Sequence, residues 1–417
     1  MDSYFPNVKD IVSAKHTLNG CVYNTPLSYN KNLSDRYGAN VYLKREDLQV
    51  VRSYKIRGAY NKMSSLSQKE RERGVVCASA GNHAQGVAYS CSKLNIKGTI
   101  FMPVTTPKQK IRQVRAFGGD TVEIVLTGDT FDAAAESALK YCEEKNMVFI
   151  HPFDDEKIIE GQGTVGIEIL EAAKFPIDYI FIPIGGGGLI SGVGGFFRQM
   201  SPDTKIIGVE PLGAAAMKTS LNCGEVKSLD DVDKFVDGAA VKRVGDKTFS
   251  ITKDIVSEIA VVPEGKICTT IMEMYNLEAI VVEPAGALSI SVLDQYKDAI
   301  KEKNVVCIVS GGNNDITRTE DIKERSLLYE GLKHYFIVNF PQRAGALSNF
   351  ASHVLGPTDD ITYFEYKKKT HRENGPAVIG IELQSPEDFE SLIERMKENA
   401  IKYEYLNDKS DLFEFLI

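Results

Sequence analysis

Short apolar runs alternate with longer stretches in which apolar residues recur every three or four positions, from Val41 to Val309. The runs at 75–78, 99–102, 121–126, 148–150, 179–182 and 305–309 are short and rich in β-branched residues, so they predict strands. The 132–145 stretch and the stretch after Gly188 carry helical periodicity, as do Ala84, Val87, Ala88 and Cys91. Strands and helices in strict alternation predict a doubly wound α/β fold. Past the charged run 318–325, which predicts a helical connector, the pattern changes. Strands are expected at 334–339, 361–366, 378–382 and 403–406, and helices at 345–354 and 386–398. The second helix would bury Phe389, Leu392, Ile393 and Met396. This βαββαβ order predicts a ferredoxin-like unit.

Composition narrows the class without naming a chemistry. A chain of 417 residues is too long for one compact core, and its 43% hydrophobic and 25% charged content is ordinary for a globular protein. A net charge of −8 argues against nucleic acid as the main partner. Nothing is apolar enough over a long enough run to span a membrane, and Met1-Asp2-Ser3-Tyr4 lacks a basic-then-apolar leader, so a cytoplasmic protein is expected. The seven cysteines are scattered with no C-x-x-C, which favours reduced thiols over disulfides, and no metal site is expected.

The chemistry is concentrated in four loops. Gly185, Gly186, Gly187 and Gly188 separate a strand from a helix beginning near Leu189, leaving backbone N–H groups bare at a helix N-terminus, where an anion is favoured. No Gly-Lys-Ser/Thr closes the loop and the spacing is not that of a dinucleotide fingerprint, so a cradle for a single phosphate is expected. In Arg52-Ser53-Tyr54-Lys55-Ile56-Arg57-Gly58, Ser53 has the character of a helix N-cap and Lys55 falls in the first turn. There the dipole and a partly apolar setting lower an amine's pKa, as a Schiff-base lysine requires. Ser79-Ala80-Gly81-Asn82-His83 and Ser310-Gly311-Gly312-Asn313-Asn314 each follow a strand-like run and offer polar side chains at a turn. A lysine nucleophile, a phosphate cradle, a carboxylate loop and a hydroxyl-bearing loop on one rim of an open sheet suggest pyridoxal phosphate.

With Lys44-Arg45-Glu46-Asp47 and Glu283-Pro284-Ala285-Gly286-Ala287 added, these motifs stand in the order found in the fold-type II pyridoxal-phosphate enzymes. Within that group the chain resembles the threonine dehydratases (threonine ammonia-lyases). The resemblance covers roughly the first three quarters, and the remainder resembles the single ACT-like regulatory domain of their short biosynthetic form. It implies a catalytic domain over 1–320 built of two open α/β lobes, the smaller at about 67–149, a connector over 321–332 and an ACT-like domain over 333–417.

Residue roles follow from the same resemblance. Lys55 matches the lysine that holds the cofactor and removes the substrate Cα proton. Gly185 to Gly188 and Leu189 match the phosphate loop, Asn82 the partner of the ring hydroxyl, and Tyr54 the aromatic that packs on the ring, more often Phe in the family. Ser79, Ala80, Asn82 and His83 match the substrate-carboxylate loop, with His83 also readable as a structural histidine. Ser310 matches the position facing the pyridine nitrogen. A neutral hydroxyl cannot pair with a pyridinium, which favours expulsion of a β-hydroxyl over transamination. Ala80 replaces the serine that a racemase needs on the opposite face. In Glu210-Pro211-Leu212-Gly213-Ala214-Ala215-Ala216, Ala216 stands where a cation-binding loop would need a second carboxylate, so Glu210 is expected to be structural.

The expected activity is dehydration and deamination of L-threonine to 2-oxobutanoate, and of L-serine to pyruvate, at the head of isoleucine biosynthesis. A serine-preferring dehydratase shares every motif, since one methyl is worth only about 1–3 kcal/mol of discrimination. An amino-acid sensor on a dead catalytic fold is the non-enzyme alternative, opposed by intact Lys55, Asn82 and Ser310. The resemblance further implies a tetramer and isoleucine as inhibitor, with valine as a competing effector, received near Arg343, Ala346 and Leu347.

Overall fold

The computed structural model describes residues 4–366 and 373–409; the end of the expected 333–417 domain and Met1 to Ser3 lie outside them. The chain falls into two compact units, Met1–Glu264 with Met274–Asp315, and Gly265–Glu273 with Ile316–Ile417.

The first unit holds two sheets. The larger runs in the order Leu27–Tyr29, Asn40–Arg45, Asn304–Val309, Tyr179–Pro183, Lys205–Pro211, Glu258–Val262. All neighbours are parallel except the edge strand Leu27–Tyr29. Its central strands are buried on both faces, which is why they read as unbroken apolar runs rather than alternating ones. The smaller sheet, Val122–Leu126, Gly98–Met102, Val75–Ala78, Val148–Phe149, is wholly parallel. Each sheet has its own core: Ile180, Ile182, Leu189, Val193, Phe197 and Ile308 are among the residues of one, and Val75, Cys77, Ala84, Val87, Cys91 and Ile100 among those of the other. Helices Lys55–Ser64 and Glu156–Ala172 pack side by side in this unit.

A fully buried ion cluster holds the Lys55 helix in place. Arg57 donates to Glu46 at 2.8 Å through Nε and to Glu168 at 2.6 Å through Nη1, and Lys44 donates to Glu168 at 2.6 Å. Burial alone would push the Glu46 carboxyl up, yet the guanidinium of Arg57, Lys44 and the Thr25 hydroxyl together outweigh it and hold the group below its usual range. Two cations facing two carboxylates leave no buried charge unpaired. The motif Lys44-Arg45-Glu46-Asp47 is thus a framework piece, not part of the cleft.

In the second unit the strands Asp360–Tyr366, Asn374–Glu382, Lys333–Pro341 and Tyr403–Tyr405 form an antiparallel sheet in that spatial order. Helices Ala346–His353 and Asp388–Glu398 contribute Phe350, Leu392 and Met396 to its core. This is the ferredoxin-like order expected from the periodicity, with bounds that shift by only a few residues. Gly265–Glu273 belongs to this unit although the sequence reading sets the catalytic domain as one piece to 320. A Cβ on Gly265 would lie 2.4 Å from Tyr329 Cβ, and Thr269 Oγ1 is 2.9 Å from Ser326 Oγ, so these helices pack too closely for the periodicity of either to reveal.

Candidate active site

Three strand ends deliver the cleft. Tyr179–Pro183 leads into the glycine loop, Asn304–Val309 into Ser310, and Val75–Ala78 into the Ser79-to-Asn82 turn. Tyr54, Lys55, Asn82, Pro183, Ile184, Gly185, Gly238, Ala239, Glu283, Ala285 and Ser310 line one pocket. The structure thus brings Lys55, Tyr54, Asn82, Gly185 and Ser310 together from four separate segments.

Lys55 is the first residue of helix Lys55–Ser64, as its first-turn placement implied, but Ser53 is not the cap. The N-cap is Tyr54, with no side-chain hydrogen bond, and Ser53 instead bridges to Gly311 while its Oγ is buried without a partner. Burial pulls the Lys55 amine down to about 8, with the Glu283 carboxylate pulling the other way. Its Nζ donates to the Pro152 carbonyl at 2.9 Å and lies 5.4 Å from the centre of the Tyr54 ring. Burial and the Glu283 charge together hold the Tyr54 phenol well above its usual value, so it stays a neutral donor.

The glycine loop is shaped by its neighbours. Gly187 has φ +93°, a left-handed conformation that glycine adopts without strain, and helix Gly188–Met200 starts immediately after it. A Cβ on Gly186 would sit 2.2 Å from the Phe153 ring, and one on Gly187 2.8 Å from Thr248 Cβ. Thr248 Oγ1 donates to the Gly186 carbonyl at 2.6 Å, tying the loop to the segment that follows Gly245. Asp154 in turn accepts the backbone N–H groups of Asp246, Lys247 and Thr248 at 3.0–3.1 Å. Leu189 is 2% exposed with its side chain in the core, so what it can offer an anion is its backbone N–H.

Helix Asn82–Leu94 begins at Asn82, leaving its first N–H groups without intrahelical acceptors. Ser79 Oγ accepts from Gly81 N at 3.2 Å, and Ala80 packs partly against the smaller core. His83 differs from its place among the side chains expected to line the pocket. Its ring is buried, Nε2 is 2.9 Å from the Ile150 carbonyl, and burial followed by the Lys55 charge pulls it down to about 3. It is a neutral imidazole anchored through Nε2 on the Ile150 carbonyl. Ser310 is 2% exposed and reaches the Ala285 carbonyl at 3.3 Å.

Glu210 lies elsewhere. Its carboxylate accepts from Met217 N at 2.8 Å and Lys218 N at 2.9 Å, capping helix Ala216–Cys223 in the structural role expected of it. Among the described residues no group of three or more His, Cys, Asp or Glu could hold a metal ion, and no helix is long and apolar enough to cross a membrane. Five of the seven cysteines are buried, while Cys223 is exposed.

Two residues of the cleft went unassigned by sequence reasoning. Glu283 is 5% exposed, with its carboxyl pushed up to about 7 by burial and then by Asp237. Asn313 donates to Asn82 Oδ1 at 2.7 Å. Both stand in motifs quoted for the resemblance, but nothing along the chain places them beside Asn82.

An amine of lowered pKa, a neutral hydroxyl and a loop of bare N–H groups at a helix N-terminus suit a phosphorylated aldehyde held through the amine. The fold and this cleft define a pyridoxal-phosphate-dependent enzyme of fold type II. Residues 18–311 match the family model described as pyridoxal-phosphate dependent enzyme, and residues 324–416 the C-terminal regulatory domain of threonine dehydratase. The biosynthetic L-threonine dehydratases IlvA of Halalkalibacterium halodurans and Bacillus subtilis are each 58% identical over 410 residues, spanning 98% of this chain and 99% and 97% of theirs. The processed form of threonine deaminase isoform 2 from Solanum lycopersicum superposes with a TM-score of 0.72 at 42% identity, covering 78% of this chain and 97% of that one. The chain belongs to the biosynthetic threonine dehydratase family of pyridoxal-phosphate-dependent enzymes.

Proposed function

We propose that this protein converts L-threonine to 2-oxobutanoate and ammonia, and L-serine to pyruvate and ammonia, as the first step towards isoleucine in the cytoplasm. The observation that carries the reading is the meeting of Lys55, Asn82 and Ser310 at the rim beside the glycine loop, in a chain 58% identical over nearly its whole length to named threonine dehydratases.

Pyridoxal phosphate bound at Lys55 supplies a sink for the electron pair left when the Cα proton departs. Gly185, Gly186, Gly187, Gly188 and Leu189 hold its phosphate through backbone N–H groups, assisted by the dipole of the helix that follows. Tyr54 packs on the ring, and Asn82 meets the ring oxygen. The turn from Ser79 to His83 receives the substrate carboxylate, with backbone N–H groups and the Ser79 hydroxyl as donors. An amine lowered to about 8 keeps a far larger neutral fraction at physiological pH than an ordinary lysine, so Lys55 Nζ, once the substrate amine has displaced it from the cofactor, would accept the Cα proton, with the Pro152 carbonyl positioning it. Ser310 offers the ring nitrogen a hydroxyl and no charge. A neutral partner there would leave the ring a milder electron sink than a carboxylate would, which would favour expulsion of a β-hydroxyl over transamination.

Reaction specificity is tested at two positions. Ala80→Ser is expected to bring detectable serine racemisation, because a hydroxyl then stands on the face opposite Lys55. Ser310→Asp is expected to raise side reactions relative to elimination by holding the ring nitrogen protonated. Chiral chromatography and oxoacid release together report the partition among products. An unchanged partition in both variants rejects this account of specificity.

The catalytic part is taken as 1–320, with its smaller lobe at about 67–149, a connector over 321–332 and an ACT-like regulatory domain over 333–417. The turn after Lys333–Pro341 carries an exposed Arg343, a Gly345 with φ +80°, and then Ala346 and Leu347 at the start of helix Ala346–His353. There isoleucine is the inhibitor and valine its competitor, acting within a homotetramer. Couplings of this kind are typically about 1–3 kcal/mol, or roughly 5–150-fold in affinity. Truncation after Gly331 retains helix Thr319–Tyr329, which packs on Gly265. The shortened enzyme is expected to dehydrate threonine and ignore isoleucine, with gel filtration separating lost regulation from lost assembly. A full-length threonine saturation curve unmoved by millimolar isoleucine contradicts the regulatory reading.

A further inference from the structure

A chain of side-chain hydrogen bonds crosses the rim of the cleft. Glu283 Oε1 accepts from Asn82 Nδ2 at 2.6 Å, and Asn82 Oδ1 accepts from Asn313 Nδ2 at 2.7 Å. Asn313 Nδ2 also lies 2.9 Å from the Val51 carbonyl and 3.2 Å from Gln85 Oε1, and Gln85 Nε2 donates to Gln113 at 3.0 Å. Three acceptors around one nitrogen leave Asn313 a single sensible amide orientation. Its Oδ1 is then buried without a partner, a cost that would fall if the amide were free to turn.

The consequence falls on Asn82, whose two amide ends are otherwise nearly interchangeable in shape. An ionised carboxylate only accepts, so it demands the nitrogen of Asn82 on its side. The Asn313 amide nitrogen only donates, so it demands the oxygen on the other. Glu283 is itself held tightly: its backbone N–H donates to the Gly311 carbonyl at 3.2 Å, and a Cβ on Gly311 would lie 2.2 Å from Oε1. No side chain larger than hydrogen fits at 311 while Glu283 keeps this pose.

We propose that Glu283 is a positioning residue for the cofactor, fixing the Asn82 amide so that an N–H rather than a carbonyl oxygen is presented to the ring oxygen of pyridoxal phosphate. The inference rests on the reading that Asn82 meets that oxygen. An amide turned the other way would set oxygen against oxygen and lose the hydrogen bond.

The same carboxylate acts electrostatically on the cleft. Burial first and then Asp237 push the Glu283 carboxyl up, while the hydrogen bond from Asn82, the Lys110 charge and the Asn313 backbone pull it down. Lys110 pairs with Asp237, Lys55 is held more basic by Glu283, and the Tyr54 phenol is held less acidic by it. Ionised Glu283 therefore favours the protonated form of the Lys55 nitrogen.

The test reads cofactor affinity and the absorbance of the full-length protein with pyridoxal phosphate, without substrate. Glu283→Leu removes the acceptor and is expected to weaken cofactor binding about tenfold or more, in line with a lost hydrogen bond to a charged group. In a cycle with Asn82→Ala, the second substitution should cost little once the first is made. Glu283→Gln keeps one acceptor oxygen in the same shape, replaces the other by an amide donor and removes the charge. It should therefore retain affinity within a few fold, while the pH midpoint of the bound cofactor's visible band falls by about one unit. Glu283→Asp should move back towards the native midpoint. Additive losses in the cycle, or an unshifted midpoint in Glu283→Gln, overturn the proposal. Should Asn82→Ala alone leave affinity and spectrum untouched, the reading of Asn82 fails first and this inference with it.

Discussion

Lys55→Ala is expected to abolish the visible absorbance of bound cofactor and to lower 2-oxobutanoate release by at least about 10⁴-fold. A positioned general base alone contributes roughly 10²–10⁴-fold, and this residue is also the nucleophile. Among the described residues no other amine lines the pocket, and the imidazole of His83 is buried on the Ile150 carbonyl and held neutral. Absorbance and turnover should fall together, measured at saturating pyridoxal phosphate so that weak binding is not mistaken for lost chemistry. Substantial turnover in this variant would move both roles to another residue.

The glycine loop carries the second large effect. Gly186→Ala places a methyl 2.2 Å from the Phe153 ring, an overlap relieved only by displacing the ring or the loop. Overpacking of this kind costs about 1–3 kcal/mol. Gly186→Asp makes the same overlap and adds a negative charge beside the phosphate. At about 4 Å and an effective dielectric near 20 that repulsion is roughly 4 kcal/mol, close to a thousandfold in affinity. The difference between the two variants isolates the charge. Adding Phe153→Ala should restore cofactor binding to Gly186→Ala and far less to Gly186→Asp. Equal affinities for the Ala and Asp variants would mean that the phosphate sits elsewhere.

Much of the fold was legible because each segment's own chemistry agrees with its place. The strand expected at 75–78 is Val75–Ala78, and the helix expected at 132–145 is Phe131–Glu144, capped by Thr130 through Ala133 N. The fully buried central strands of the larger sheet announced themselves as continuous apolar runs. Local reasoning failed where a long-range partner decides. Ser53 has the side chain of a cap, yet its pairing with Gly311 pulls the backbone into another path and leaves Tyr54 at the helix start.

The site shows the same division. Lys55 and the four glycines carry unusual chemistry in their own neighbourhood and could be found without any partner. Glu283 meets Asn82 across 201 residues of sequence, and Phe153 meets Gly186 only in the fold. Neither contact leaves a periodic or spacing signal. His83 was ambiguous for a related reason: its turn faces the cleft while its ring faces the core, and a one-dimensional pattern cannot separate the two.

The most direct measurement is oxoacid release by the purified full-length chain with pyridoxal phosphate, given threonine or serine as sole substrate. The account predicts a visible band from bound cofactor, 2-oxobutanoate and ammonia in equal amounts from threonine, and slower but measurable pyruvate from serine. A cofactor-loaded protein that releases no oxoacid from either amino acid would contradict it, and one that acts on serine while sparing threonine would transfer the assignment to a serine-preferring dehydratase.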